Sequence, residues 1–190
     1  MYKEICLLCS IMLSLVKISQ AKTVELPAYQ DKNSGLVCNP IILSDDFLKI
    51  IDRTDFDDNE YNNAFMQTAC KKELQSIMDS IASAKTDIDL INIAGTVSGL
   101  LCFFVDEDRN FLEDIFLNLE MRAALMGNPT AMEEILCTTI PIRDASTRKN
   151  FTLHGQPMTR EQFSSIPNKI NEKYEEISKI NLLSETLSEL

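Results

Sequence analysis

Four cysteines are the side chains whose type and spacing are most informative in this 190-residue chain. They are Cys38, Cys70, Cys102 and Cys137, and each lies more than thirty residues from the next. Structural zinc sites use close pairs such as C-x-x-C, and the chain has one histidine, so a metal site is not expected. An even number of cysteines in an exported chain is typical of disulfide bonds. We therefore predict two disulfides and no metal or other cofactor.

The pairing of the cysteines follows from the predicted helices. Two helices joined by a turn near residues 85–86 should pack antiparallel, which places Cys70 and Cys102 at nearly the same level. Gly95 and Gly99 share a face with Cys102, where they would let the two helices approach within disulfide range. We predict the bonds Cys70–Cys102 and, from the two that remain, Cys38–Cys137. The sequential pairing, Cys38–Cys70 with Cys102–Cys137, stays open as an alternative.

The residues that could act in catalysis form no recognisable motif. His154 is the only histidine, and it lies between Leu153 and Gly155 in a predicted loop. No G-x-S-x-G turn is present to expose Ser164 or Ser165 as a nucleophile. The 29 acidic residues offer so many carboxylate pairs that the sequence selects none of them. We predict that the protein has no catalytic residues and that His154 is dispensable.

Two acidic stretches resemble the start of a calcium-binding loop. Asp55-x-Asp57-x-Asn59 and Asp106-x-Asp108-x-Asn110 both match the first three ligand positions of an EF-hand. Both then lack the glycine at the sixth position and the bidentate glutamate at the twelfth. We interpret these carboxylates as residues that stabilise the N-termini of helices.

The first 21 residues are typical of a signal peptide. Ile5 to Val16 is an apolar run of twelve residues, which is too short for a membrane-spanning helix. The small residues Ser19 and Ala21 then match a cleavage site. We predict cleavage after Ala21, a mature N-terminus at Lys22 and a location in the periplasm or outside the cell.

The charge of the chain limits the partners that it can bind. Its net charge is −11, which disfavours nucleic acid and anionic membrane surfaces. We expect instead a protein partner, and a cationic one.

Apolar periodicity and capping residues predict an all-α fold of five to six helices, stapled by the two disulfides. Residues 22–43 should form an extended N-terminal strap, and residues 44–190 a helical domain. Ser44, Thr86, Asn128 and Thr159 are the predicted caps, and Gly127 ends a helix. Residues 142–158 read as a loop insertion with a small hairpin about Gly155, and Asn150 is a glycosylation acceptor if the host is eukaryotic.

One predicted helix, at residues 87–105, carries no charge from Leu90 to Val105. Sixteen residues reach about 24 Å, which is short of the roughly 30 Å of a bilayer core. We therefore predict a helix buried on all sides in the core rather than a membrane span.

These observations predict an exported acidic helical protein that binds another macromolecule, as an inhibitor, effector or accessory factor. Two alternatives remain, a carrier with an apolar cavity between helices and an enzyme that depends on carboxylates. Neither alternative has a motif to support it.

Overall fold

The computed structural model describes residues 22–54, 56, 60–137 and 151–188. The predicted signal peptide at 1–21 lies outside this part of the chain, as does Asn150. The side chains of residues 60–62, 137 and 185–188 are likewise outside the description.

Six strands and six α-helices make up the described fold. The strands are β1 (Thr23–Leu26), β2 (Tyr29–Gln30), β3 (Leu36–Cys38), β4 (Ile41–Ser44), β5 (Phe151–Leu153) and β6 (Gln156–Pro157). The helices are α1 (Glu60–Ser83), α2 (Asp87–Leu100), α3 (Asp106–Met126), α4 (Pro129–Cys137), α5 (Arg160–Ser164) and α6 (Ile166–Ser188). A 3₁₀ helix covers Asp45–Arg53, and a 3₁₀ turn covers Leu101–Phe103.

The prediction of an all-α, disulfide-stapled bundle is wrong on both points. Strands β1 and β4 form a two-stranded antiparallel sheet, and the order β2-β3-β5-β6 forms a second, four-stranded sheet. In the second sheet Cys38 pairs with Phe151, so the N-terminal segment is joined to a part of the chain more than 110 residues away. Strands of two to four residues carry too little alternation to be read from sequence, and their partners are distant.

The small hairpin about Gly155 is present as β5 and β6. His154 and Gly155 connect the two strands, with φ angles of 50° and 77°. Positive φ at both central residues is the geometry of a type I′ turn, which matches the twist of the flanking strands.

The predicted helix caps are confirmed. Thr86 and Thr159 each form a capping box, with Asp89 and Gln162 respectively. The Ser44 hydroxyl accepts a hydrogen bond from the backbone of Asp46, and the Asn128 side chain accepts one from Ala131. Gly127 ends α3 with φ at 103°, a left-handed conformation that glycine adopts at little cost.

Helices α1 to α4 follow one another as antiparallel neighbours, and α6 packs on α4. The predicted stripe of α1 lies in the core, where Cys70, Leu74, Ile77 and Ile81 are buried. Helix α2 is not buried on all sides as predicted, because only one of its sides faces the core. That side carries Leu90, Ile93, Ala94, Val97 and Leu100.

The C-terminal half of α6 extends past the body of the protein. Ile170 is buried and Ile177 still packs against the core, but every residue from Ser178 to Ser184 is exposed. The apolar stripe predicted for this helix therefore has a buried half and an exposed half.

Within the described ranges, no helix is both long enough and apolar enough to cross a membrane.

Candidate functional site

The most strongly charged surface of the described fold is formed by the 3₁₀ helix and the start of α3. We call it the acidic surface. It carries six carboxylates and two basic side chains within residues 45–53 and 106–108. The carboxylates are those of Asp45, Asp46, Asp52, Asp106, Glu107 and Asp108. The basic residues are Lys49 and Arg53.

Two contacts hold the halves of the acidic surface together. The guanidinium of Arg53 pairs with Asp108, with its Nε 3.2 Å from the Oδ2 atom. The rings of Phe47 and Phe111 meet edge to face, with centroids 6.0 Å apart. Phe47 is buried, and it therefore anchors an aromatic ring that remains 41 % exposed at Phe111.

The basic side chains of this surface are already engaged. Lys49 pairs with Asp46 at 2.5 Å, and this contact lowers the pKa of the Asp46 carboxyl. The hydrogen bond from Asp108 raises the pKa of Arg53. Across the described part of the chain, no ion pair engages Asp106 or Glu107, so the surface keeps an excess of negative charge.

One carboxyl pair does stand out from the rest, although the sequence could not select it. Glu120 of α3 is only 5 % exposed, and its carboxyl is hydrogen-bonded to that of Glu134 in α4. Burial, followed by the hydrogen bond and charge of Glu134, raises the pKa of Glu120 to about 8. A carboxyl that keeps its proton at neutral pH can act as a general acid.

The register of the two helices was the signal that could have found this pair. Glu120 and Glu134 lie seven residues before and seven residues after Gly127, which ends α3. Antiparallel helices joined by a tight turn place such residues at one level.

A buried arginine joins α3 to the N-terminal segment. Arg122 is 3 % exposed and donates to the carbonyl oxygen of Pro27 at 2.5 Å and to that of Asn39. Its Nε also donates to the Asn118 side chain at 2.6 Å, and Asn118 in turn donates to Asn39 at 3.2 Å. This arrangement holds structure together, and the sequence gave no sign of it.

His154 lies in the β5–β6 turn. Its backbone N–H donates to the carbonyl oxygen of Gly35 at 2.9 Å, and its ring lies directly against Gly35. No described carboxylate or serine hydroxyl is hydrogen-bonded to the ring. This position agrees with the prediction that no catalytic triad includes His154, and its dispensability stays a prediction.

The predicted disulfides do not form among the described cysteines. Cys38, Cys70 and Cys102 are all free thiols, and the Cys137 side chain lies outside the description. The level predicted for Cys70 and Cys102 is close, since Cys102 contributes to the raised pKa of Cys70 after the larger effect of burial. Cys70 faces the core, whereas Cys102 is exposed beyond the end of α2, so the two thiols face different sides.

The glycines invoked for that pairing face away from α1. No atom lies within 4 Å of the position that a Cβ carbon would take at Gly95 or at Gly99. Cys38 is enclosed on β3, where burial raises the pKa of its thiol to about 12 despite the opposing charge of Arg122.

The calcium-like stretches lead to the same interpretation as the sequence. Asp106, Asp108 and Asn110 occupy the first turns of α3, where carboxylates favour the helix dipole. Asp55, Asp57 and Asn59 lie outside the described residues. Among the residues that are described, no three His, Cys, Asp or Glu side chains are grouped to hold a metal ion.

Two surface grooves bear on the carrier alternative. One, of about 240 Å³, runs between α1 and α2 and is lined mainly by hydroxyl and amide side chains such as Ser76, Ser80 and Asn92. The other, of about 300 Å³, lies beside α6 and is lined by charged residues such as Glu172 and Glu176. An apolar carrier needs an enclosed apolar cavity, and neither groove has that character.

No family model, curated protein or solved structure matches this chain. Any functional assignment therefore depends on the residues described above.

Proposed function

We propose that this protein is exported and acts by binding a cationic protein partner, without catalysis, and that the acidic surface is its binding site. The observation that carries the proposal is the exposed ring of Phe111 among carboxylates that exceed the local basic residues by four. Exposed aromatic rings are enriched where proteins bind one another, and they favour arginine and lysine above their faces.

The chemistry of the surface supports this partner class. Glu107 lies one helical turn before Phe111, so a carboxylate and a ring are neighbours on the same face of α3. A basic side chain can contact both at once, with its alkyl stem on the ring and its charge beside the carboxylate. The negative field of the whole chain would also speed the approach of a cationic protein.

A binding assay with charge-reversed variants tests the proposal. The probes are two labelled helical peptides, one of alternating leucine and arginine residues and one with glutamate in place of arginine. Glu107→Lys should weaken binding of the arginine peptide at least tenfold in fluorescence anisotropy. Glu175→Lys is the matched control, because Glu175 is an exposed helical glutamate on α6, away from the acidic surface.

The result that would overturn the proposal is equal binding of both peptides, or equal loss in both variants. Binding should also weaken as salt is raised through about 0.3 M, because exposed charges are then screened. Circular dichroism of each variant confirms that the fold is retained.

The alternative of a carboxylate-dependent enzyme has one observation in its favour, the protonated Glu120 beside Glu134. Hydrolysis that disappears in Glu120→Gln but persists in Glu113→Gln, with both variants folded, would support that alternative over the first proposal.

A further inference from the structure

The outward face of α2 is exposed and uncharged along its whole length. Five residues define this face, and they are spaced by four, three, four and three positions. They are Ile88, Asn92, Gly95, Gly99 and Cys102, and all of them are exposed. The helix and the turn that follows it contain no charged residue between Leu90 and Val105.

An exposed helix face without charge is unusual in this protein, in which a quarter of all residues are charged. Large apolar side chains lie at both ends of the face, with Ile88 62 % exposed and Val105 68 % exposed. The depletion of charged residues is what distinguishes the centre of protein interfaces from ordinary surface. The composition of α2 therefore predicts a helix covered on both sides, whereas the described fold covers only one.

The backbone at the middle of this face is open to a close approach. A Cβ carbon at Gly95 or Gly99 would have no neighbour within 4 Å, so neither glycine is needed for packing inside the chain. Each costs about 1 kcal/mol of helix stability relative to alanine. A second helix crossing at this point could use the space that the two missing side chains leave.

We propose that α2 pairs in antiparallel orientation with α2 of a second copy of this protein, crossing at Gly95 and Gly99. The spacing of the face reads the same in both directions about Val97. A two-fold axis there places Gly95 of one copy opposite Gly99 of the other, and Asn92 opposite Cys102. The apolar ends, Ile88 and Val105, then meet as well.

Charge favours a second copy over other occupants. Two chains that each carry a net charge of −11 repel one another, and an uncharged face is where they can meet. A cationic partner would find no carboxylate along α2 between Asp89 and Asp106. An anionic lipid surface would be repelled by the carboxylates at both ends of the face.

The same carboxylates predict how the dimer responds to salt. Asp87 and Asp89 at the start of α2 would lie near Asp106 and Glu107 of the other copy. Like charges at the ends of the interface weaken it, and salt screens them. Dimerisation should therefore strengthen as salt is raised, whereas binding at the acidic surface should weaken.

A glycine replacement separates dimerisation from folding. The double variant Gly95→Ala, Gly99→Ala should raise the melting temperature of the monomer, because alanine favours helix and has room at both sites. Sedimentation equilibrium should show at the same time at least a tenfold weaker dimer. An unchanged dimer constant in this variant, or a wild-type protein that stays monomeric to high concentration, would overturn the proposal.

A cross-link tests the register directly. Asn92→Cys should form a disulfide with Cys102 of the second copy, found by peptide mapping of the oxidised dimer. Ala82→Cys, at an exposed site on α1, should not form it. Absence of the Asn92→Cys link, or association with neutral or anionic lipid vesicles in place of a dimer, would also overturn the proposal. Because the acidic surface is not used, these results leave the proposed function untouched.

Discussion

The imidazole ring of His154 lies directly over Gly35, so closely that a Cβ carbon at Gly35 would be 2.1 Å from it. Gly35 also has φ at 70°, where side chains other than glycine are strained. The two residues join the β2–β3 turn to the β5–β6 turn, across more than 110 residues of sequence. Only a glycine fits this contact, for reasons of both space and backbone conformation.

We predict that Gly35→Ala destabilises the fold by about 2–4 kcal/mol, from backbone strain and from the contact with the ring. His154→Ala alone should cost little, since the ring is exposed. The double variant should recover the part due to the contact and keep the part due to strain. Urea unfolding of the four proteins measures both parts. Strict additivity of the two changes would show that the ring and Gly35 do not interact.

Stability should depend on pH through Glu120. Its pKa in the folded protein is about 8, above the value near 4.3 of an unfolded glutamate, so the folded state holds the proton more tightly. The contribution of this group is therefore most favourable below about pH 4.3 and is lost as pH rises towards 8. Glu120→Gln should stabilise the protein by about 1–3 kcal/mol at pH 8 and flatten this dependence.

Thermal melts between pH 4 and 9 test this expectation, with Glu175→Gln as the exposed control. A Glu120→Gln profile parallel to that of the wild type would show that Glu120 ionises normally.

Arg122 should be essential for anchoring the N-terminal segment. Arg122→Met removes the donors to Pro27 and Asn39 and leaves buried carbonyl oxygens without partners, at a cost of about 3 kcal/mol. Arg109→Ala, which breaks an exposed pair with Glu113, should cost less than about 0.5 kcal/mol. Chemical unfolding of both variants compares the two effects, and equal losses would contradict the role given to Arg122.

The described cysteines should differ in reactivity. Cys102 is exposed, whereas Cys38 and Cys70 are buried and burial raises the pKa of both thiols. Iodoacetamide labelling of the native protein, read by mass spectrometry at each cysteine, should modify Cys102 rapidly and the other two only after unfolding. Protection of Cys102 that a reductant removes would restore the disulfide that the structure contradicts.

Local signals in the sequence determined where the helices begin and end. A cap needs only residues within one turn, so Thr86 with Asp89, Thr159 with Gln162, and Gly127 could be recognised without knowledge of the fold. The hairpin at His154 and Gly155 has the same local origin. Charge and composition likewise follow from the sequence, and the predicted export signal depends on nothing else.

Tertiary structure decided everything that depends on distant residues. The pairing of Cys38 with Phe151, the bonds of Arg122 to Pro27 and Asn39, and the contact of His154 with Gly35 all join segments that no local pattern relates. The level of Cys70 and Cys102 could be estimated from helix length, but the side that each thiol faces could not. The uncharged stretch of α2 indicated burial on all sides, and only the packed fold showed that one of those sides is exposed.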